Sequence, residues 1–191
     1  MFAIATTLLV LELRLPEEIA PGQLGHLLGQ LNWDFAAYAM GFLQTFGGWS
    51  VSHRLSSRLR GIDQWTILSL GIGLAFVSLI PFSTAALAAS VHDPENLRTA
   101  VALVTGLGFL STLTLVVATF HSWHAGLFIE GYTQEHFDWL GRLMVAALVG
   151  FGAAFALSFV NAYVALVPTV VGYLATLLPL RLDEFPCATD A

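Results

Sequence analysis

Five stretches without an ionised side chain punctuate this chain, at 1–11, 35–52, 65–91, 99–120 and 143–180. Because a charge at the centre of a bilayer costs several kcal/mol, such gaps locate membrane spans better than local propensity does. About 20 apolar residues cross a bilayer as a helix. Phe35 to Ser52, Trp65 to Val91 and Thr99 to Phe120 therefore read as one crossing each, with Pro81 expected to kink or end the third helix. The run Leu143 to Leu180 is long enough for two, turning at Asn161-Ala162-Tyr163. Met1 to Leu11 would rise only about 16 Å as a helix, roughly half the hydrocarbon thickness. That gives six spans with a shortened first helix, and a polar connection from His121 to Arg142 that can be helical in part.

Composition agrees. The 191 residues are 57% hydrophobic and 10% charged, where soluble domains run about 25% charged, and the mean hydropathy is +0.76. The apolar runs lack the alternation of a β-barrel, so helices must satisfy the backbone. The expected fold is all-α, a polytopic membrane bundle forming one domain over 1–184 and a disordered tail over 185–191. A net charge of −6 with no basic stripe excludes a nucleic-acid partner. The single cysteine, Cys187, leaves no partner for a disulfide and no thiolate cluster for a metal. The start has neither the basic residues nor the cleavage site of a signal peptide. Arg54, Arg58, Arg60, Arg142 and Arg181 fall on one side of the six-span topology and Arg14 and Arg98 on the other, which places both termini in the cytoplasm by the positive-inside rule.

Candidate chemistry is sparse. Ile4, Leu8 and Leu11 stand at i, i+4 and i+7 and so share one face of the first helix. Such a stripe is ordinarily a packing or lipid contact; several copies around an axis would instead make a hydrophobic constriction that gates by dewetting. Thr6 and Thr7 bring hydroxyls near that face, although bonding to preceding carbonyls is their commoner use. Asp34, beside Trp33, reads as an interfacial anchor or a mouth carboxylate that concentrates cations. His53 follows Trp49 by one turn, and a polar contact tying the second helix to the first is its expected role. His121 and His124 lack a third and fourth ligand for a metal. Gly106, Gly108, Gly150 and Gly152 suit close helix packing, and Pro168, like Pro81, suits a kink. No Gly-x-Ser-x-Gly elbow, zinc-binding His-Glu-x-x-His helix or Gly-rich phosphate loop is present, so no enzymatic activity, cofactor or metal is expected.

Phe-Ala-Ile-Ala-Thr-Thr-Leu-Leu-Val-Leu-Glu-Leu-Arg-Leu-Pro, from Phe2 to Pro16, resembles the start of prokaryotic members of the transmembrane protein 175 family of potassium channels. Tyr38, Phe42, Trp49 and His53 match that family's second-helix pattern, and Leu79-Ile-Pro-Phe-Ser-Thr84 matches the end of its third helix. The resemblance covers about the first ninety residues. It implies a six-helix subunit, cytoplasmic at both ends, assembled as a homotetramer around a pore lined by the first helix. It further implies that Ile4 forms the narrowest ring, that Leu8 and Leu11 line the pore near it, and that Thr7 bears on potassium preference. The family's Arg followed by Phe-Ser-Asp has no counterpart after Met1, and a start upstream of Met1 is expected.

These readings converge on a passive potassium-selective channel in the membrane of a prokaryotic cell, with potassium ions and the lipid bilayer as partners. A non-conducting truncated relative or a scaffolding membrane protein is the alternative. A secondary transporter would need an ionisable group at the midplane, which the charge-free runs do not supply.

Overall fold

In a computed structural model of the chain, residues 2–11, 13 and 22–177 are described, and they form eight helices. These are α1 (Phe2–Leu11), α2 (Leu24–Gln30), α3 (Asn32–Ser56), α4 (Gln64–Ser78), α5 (Ile80–Ala89), α6 (Pro94–His124), α7 (Gln134–Ser158) and α8 (Ala162–Leu177). α2 is a short prefix to α3, and α4 and α5 form one rod interrupted at Leu79, so the expected six spans are six rods. Three of them, α4 with α5, α6 and α7, are long and apolar enough to cross a membrane. α3 has the length, at 25 residues. The tail expected over 185–191, Cys187 and Arg181 lie outside the described residues.

Several boundaries move outward from the charge gaps. α3 begins three residues before Phe35, and α6 extends a turn beyond both ends of 99–120, because an Asp side chain and a proline start it. Asp93 caps α6 by accepting from the Glu95 N–H at 3.0 Å, with Pro94 in the first turn, where its missing donor costs nothing. The polar stretch 121–142 is mostly helix, split between the end of α6 and the first turns of α7; only 125–133 is a connection. The turn near Asn161 is where expected. Its Oδ1 accepts from the N–H groups of Tyr163 and Val164 at 2.9 and 3.3 Å, capping α8.

Leu79-Ile-Pro-Phe-Ser-Thr84 breaks the third span instead of ending it. Pro81 has no N–H for the carbonyl one turn earlier, so α4 stops at Ser78 and a new helix starts with the proline at its N-terminus. The Leu79 N–H reaches the Phe76 and Val77 carbonyls at the end of α4, and hydroxyls bond within the first turn of α5. Ser83 donates to the Ile80 carbonyl at 2.8 Å, and Thr84 reaches the carbonyls of Ile80 and Pro81 at 3.1 and 2.9 Å.

The second half packs tightly around glycines. A Cβ on Gly108 would lie 2.8 Å from the Phe151 ring, and one on Gly150 would lie 3.2 Å from the Pro168 carbonyl oxygen. Phe151 is 3% exposed and packs edge-on against Tyr173. In lipid, where burial of alkyl groups gives little driving force, such close approach is what holds helices together. α1 lies apart from this assembly, packing on α3, α4 and α5.

Candidate pore-lining site

α1 is ten residues long, a rise of about 15 Å. It runs antiparallel to α3. The Phe2 ring lies beside Gly48, and Leu9 lies against Gly41. Its inner stripe, Ala5 and Leu9, is buried with Val77 and Ile80, flanked by Phe2 and Tyr38. Its other face has no partner among the described residues. Ile4, Leu8 and Leu11 are 59, 44 and 64% exposed, so the predicted stripe is a continuous apolar surface turned away from the bundle.

The hydroxyls on this helix are engaged with it. Thr7 donates to the Ile4 carbonyl at 2.8 Å, and Thr6 to the carbonyls of Phe2 and Ala3 at 3.2 and 2.9 Å. Thr7 is exposed on the outer side, and its oxygen can still accept a hydrogen bond there.

Beside α1, the outward face of α3 carries a ladder of rings: Tyr38, Phe42, Phe46, Trp49 and His53, each stacked on the next with centroids 5.3 to 6.3 Å apart. His53 therefore makes its described contact with Trp49, along α3, and not with α1. Phe46 joins the pattern that the sequence marked by Tyr38, Phe42, Trp49 and His53. Asp34 lines a cavity of about 150 Å³ at the C-terminal end of α1, together with Leu9, Leu13, Ala37, Tyr38 and Thr84. At the opposite end a crevice of about 210 Å³ opens beyond Phe2, among Ser52, Ser56, Gly73 and Thr114.

Two features were not foreseen. Gln44, buried in α3, accepts a hydrogen bond from the Tyr173 hydroxyl of α8 at 3.0 Å, a direct polar link between those helices. A lone amide inside a charge-free run was the available signal. At the end of the bundle where α3, α4, α6 and α7 meet, Asp63 caps α4 through the Thr66 N–H at 2.9 Å and contacts His121 of α6 at 2.6 Å. The His121 bond, followed by the bonds from Thr66, holds the Asp63 carboxyl at a pKa of about 2, below its ordinary 3.8. Thr66 and Ser122 share a buried hydrogen bond at 3.1 Å just below, and Arg60 donates to the Leu127 carbonyl at 2.9 Å. His121 thus serves as a tether, while His124 contacts the Phe120 carbonyl at 2.9 Å in its own helix. Among the described residues no group of three metal-ligating side chains occurs.

An all-α membrane bundle with a half-length helix laid on its flank, apolar side outward, is the class of protein that these residues define. Residues 1–81 match the model of the family described as endosomal/lysosomal potassium channel TMEM175. A potassium channel of Streptomyces collinus is 32% identical over 103 residues, covering 54% of this chain and 50% of that protein. A potassium channel of Chamaesiphon minutus is 31% identical over 109 residues, covering 56% and 53%. The aligned part thus spans about half the length of the curated relatives it matches. The crystal structure of a lysosomal potassium-selective channel TMEM175 homolog from Chamaesiphon minutus has the same fold, with a TM-score of 0.79 over 93% of this chain and 90% of that one at 24% identity. The likeness to the TMEM175 family model thus rests on the first 81 residues.

Proposed function

We propose that this chain is the subunit of a potassium channel, a passive conductor and not an enzyme, whose pore is lined by α1 from four identical copies. The observation that carries the reading is the unpartnered apolar face of α1, with Ile4, Leu8 and Leu11 outward and Leu9 inward. The names of the relatives in Streptomyces collinus and Chamaesiphon minutus support potassium as the ion.

The mechanism follows from the side chains. Rings of Ile4, Leu8 and Leu11 offer no oxygen to replace the water that an ion sheds at a narrow point. Passage then penalises the more tightly hydrated sodium more than potassium, which gives preference without a carbonyl filter and makes that preference modest. Thr7, one turn from Ile4 on the exposed side, contributes the hydroxyl oxygens nearest the narrowest ring. Arg54, Arg58 and Arg60 near the end of α3 and Arg142 in α7 share one end of the bundle, and Arg98 lies at the other, which supports a cytoplasmic location for both termini in a prokaryotic cell membrane.

Purified protein in liposomes holding a potassium gradient tests the reading. Potassium flux exceeding sodium flux, from a species with the mass of four chains, is the expected result. Sealed vesicles that leak neither ion would leave the chain a non-conducting member of its family.

A further inference from the structure

The packing behind α1 is uneven. Leu9 is 1% exposed, and a Cβ on Gly41 of α3 would lie 2.7 Å from Leu9 Cδ2 and 2.7 Å from Thr84 Cγ2 of α5, closer than real Cβ atoms approach. Gly41 therefore leaves a notch one methyl deep, and the Leu9 side chain fills it. Thr84 is the notch's fixed wall, since its hydroxyl is bound to the carbonyls of Ile80 and Pro81 at the break between α4 and α5. Beyond the buried stripe of Ala5 and Leu9, space opens toward both ends of the helix. The cavity of about 150 Å³ lies toward Leu13, and the crevice of about 210 Å³ lies beyond Phe2. A rod held most closely at the Leu9 notch, with space toward both ends, can rock or shift about that contact.

Building on the proposed function, we infer that Leu9, seated between Gly41 and Thr84, is the fulcrum of the pore helix and sets how far Ile4, Leu8 and Leu11 stand from the pore axis. Leu9 does not touch the ion. It is a positioning residue, as are Gly41 and Thr84. The three packing partners of α1, namely α3, α4 and α5, lie on the side away from the apolar face. Anything that thickens the contact moves the rings toward the axis, and anything that thins it lets them retreat. At an aperture near the size of a bare ion, displacements of a fraction of an ångström alter dehydration, and larger bare ions feel them first.

The test uses purified full-length chain in planar bilayers, with potassium and caesium as permeant ions. Gly41→Ala should lower potassium conductance about tenfold, which corresponds to 1.4 kcal/mol on the barrier, and should lower the caesium-to-potassium ratio as well. Leu9→Ala should move both in the opposite direction. Adding Thr84→Ser to Gly41→Ala removes the opposing methyl while keeping the hydroxyl, and should restore the ratio. Gly71→Ala, whose added methyl meets nothing within 4 Å, should behave as the parent chain. Unchanged ratios in Gly41→Ala and Leu9→Ala, in a parent chain that conducts, would overturn the fulcrum. So would a loss of conductance that Thr84→Ser does not rescue, because that outcome is ordinary misfolding. A parent chain that does not conduct overturns the proposed function itself, and the inference with it.

Discussion

The two halves of this bundle solve the problem of packing in lipid differently. α6, α7 and α8 are continuous rods brought into contact by glycines, with Phe151 inserted against Gly108 and Gly172 and the α8 backbone at Pro168 approaching Gly150. α1 and the α4–α5 rod are short or broken, and α1 leaves its most apolar face uncovered. A membrane protein gains little by burying alkyl groups from lipid, so an uncovered Ile and Leu stripe costs the subunit nothing and is free to serve a pore. Tight packing belongs to the half built on α6, α7 and α8, and looser packing to the half that carries the proposed pore helix. The family match falls on residues 1–81, the loosely packed side.

Phe151→Ala is the largest way to separate the halves. Losing the ring opens a cavity among Gly108, Gly172 and Tyr173 and should cost about 2–3 kcal/mol, toward the low end for large-to-small substitutions because lipid does not reward burial as water does. Denaturation in detergent measures the loss. Ion preference in the folded fraction should match the parent, and a shifted reversal potential would mean that the supporting half also shapes the pore.

Ile4→Asn should produce the converse. An amide in the ring wets it, so conductance should rise about tenfold, equivalent to 1.4 kcal/mol off the barrier, and the potassium-to-sodium ratio should fall toward one. Stability should stay within about 0.5 kcal/mol of the parent, since the side chain is 59% exposed in the subunit. Unaltered conductance and preference would remove Ile4 from the constriction. Thr7→Val is the milder member of the pair. Its hydroxyl is bound to the Ile4 carbonyl, so replacing it should reduce the preference for potassium by less than Ile4→Asn does while leaving conductance unchanged, as read from reversal potentials.

Much of this division was legible in the chain. Charge gaps located all six rods because the penalty for an ionised side chain in hydrocarbon is large and local, and the period of Ile4, Leu8 and Leu11 put them on one face before any coordinates were known. The paired glycines were read correctly as contact points. Illegible were the features that depend on which helix faces which. Gly41 resembles any other glycine in an apolar run until Leu9 and Thr84 are placed against it. Pro81 announced an interruption, but not that the helix would resume at once, with Ser83 and Thr84 bound to the Ile80 and Pro81 carbonyls in its first turn. His121 and His124 stand three residues apart, which drew them together as a pair, whereas His121 pairs with a carboxylate 58 positions away.

That distant pair supplies the smallest and most specific test, because Asp63 and His121 join the N-terminus of α4 to the far end of α6, and so the loose half to the tight one. The Asp63 carboxyl titrates at about 2 in the folded chain, against 3.8 ordinarily, so the folded state holds fewer protons than the unfolded state between those values. For a carboxyl with a depressed pKa, the stabilising contribution is complete above the unfolded value and disappears as pH falls through the folded one. Asp63→Asn should therefore melt below the parent at pH 5 and above, by a small margin because the group is solvent-exposed and screened. Toward pH 2 the two melting curves should converge, as the parent's own carboxyl becomes neutral. A margin that stays constant from pH 5 to pH 2 would show that the amide disturbs the cap on α4 and that the charge on Asp63 does not couple the halves. Convergence would show that the charge on a single carboxylate outside the membrane helps hold α4 against α6.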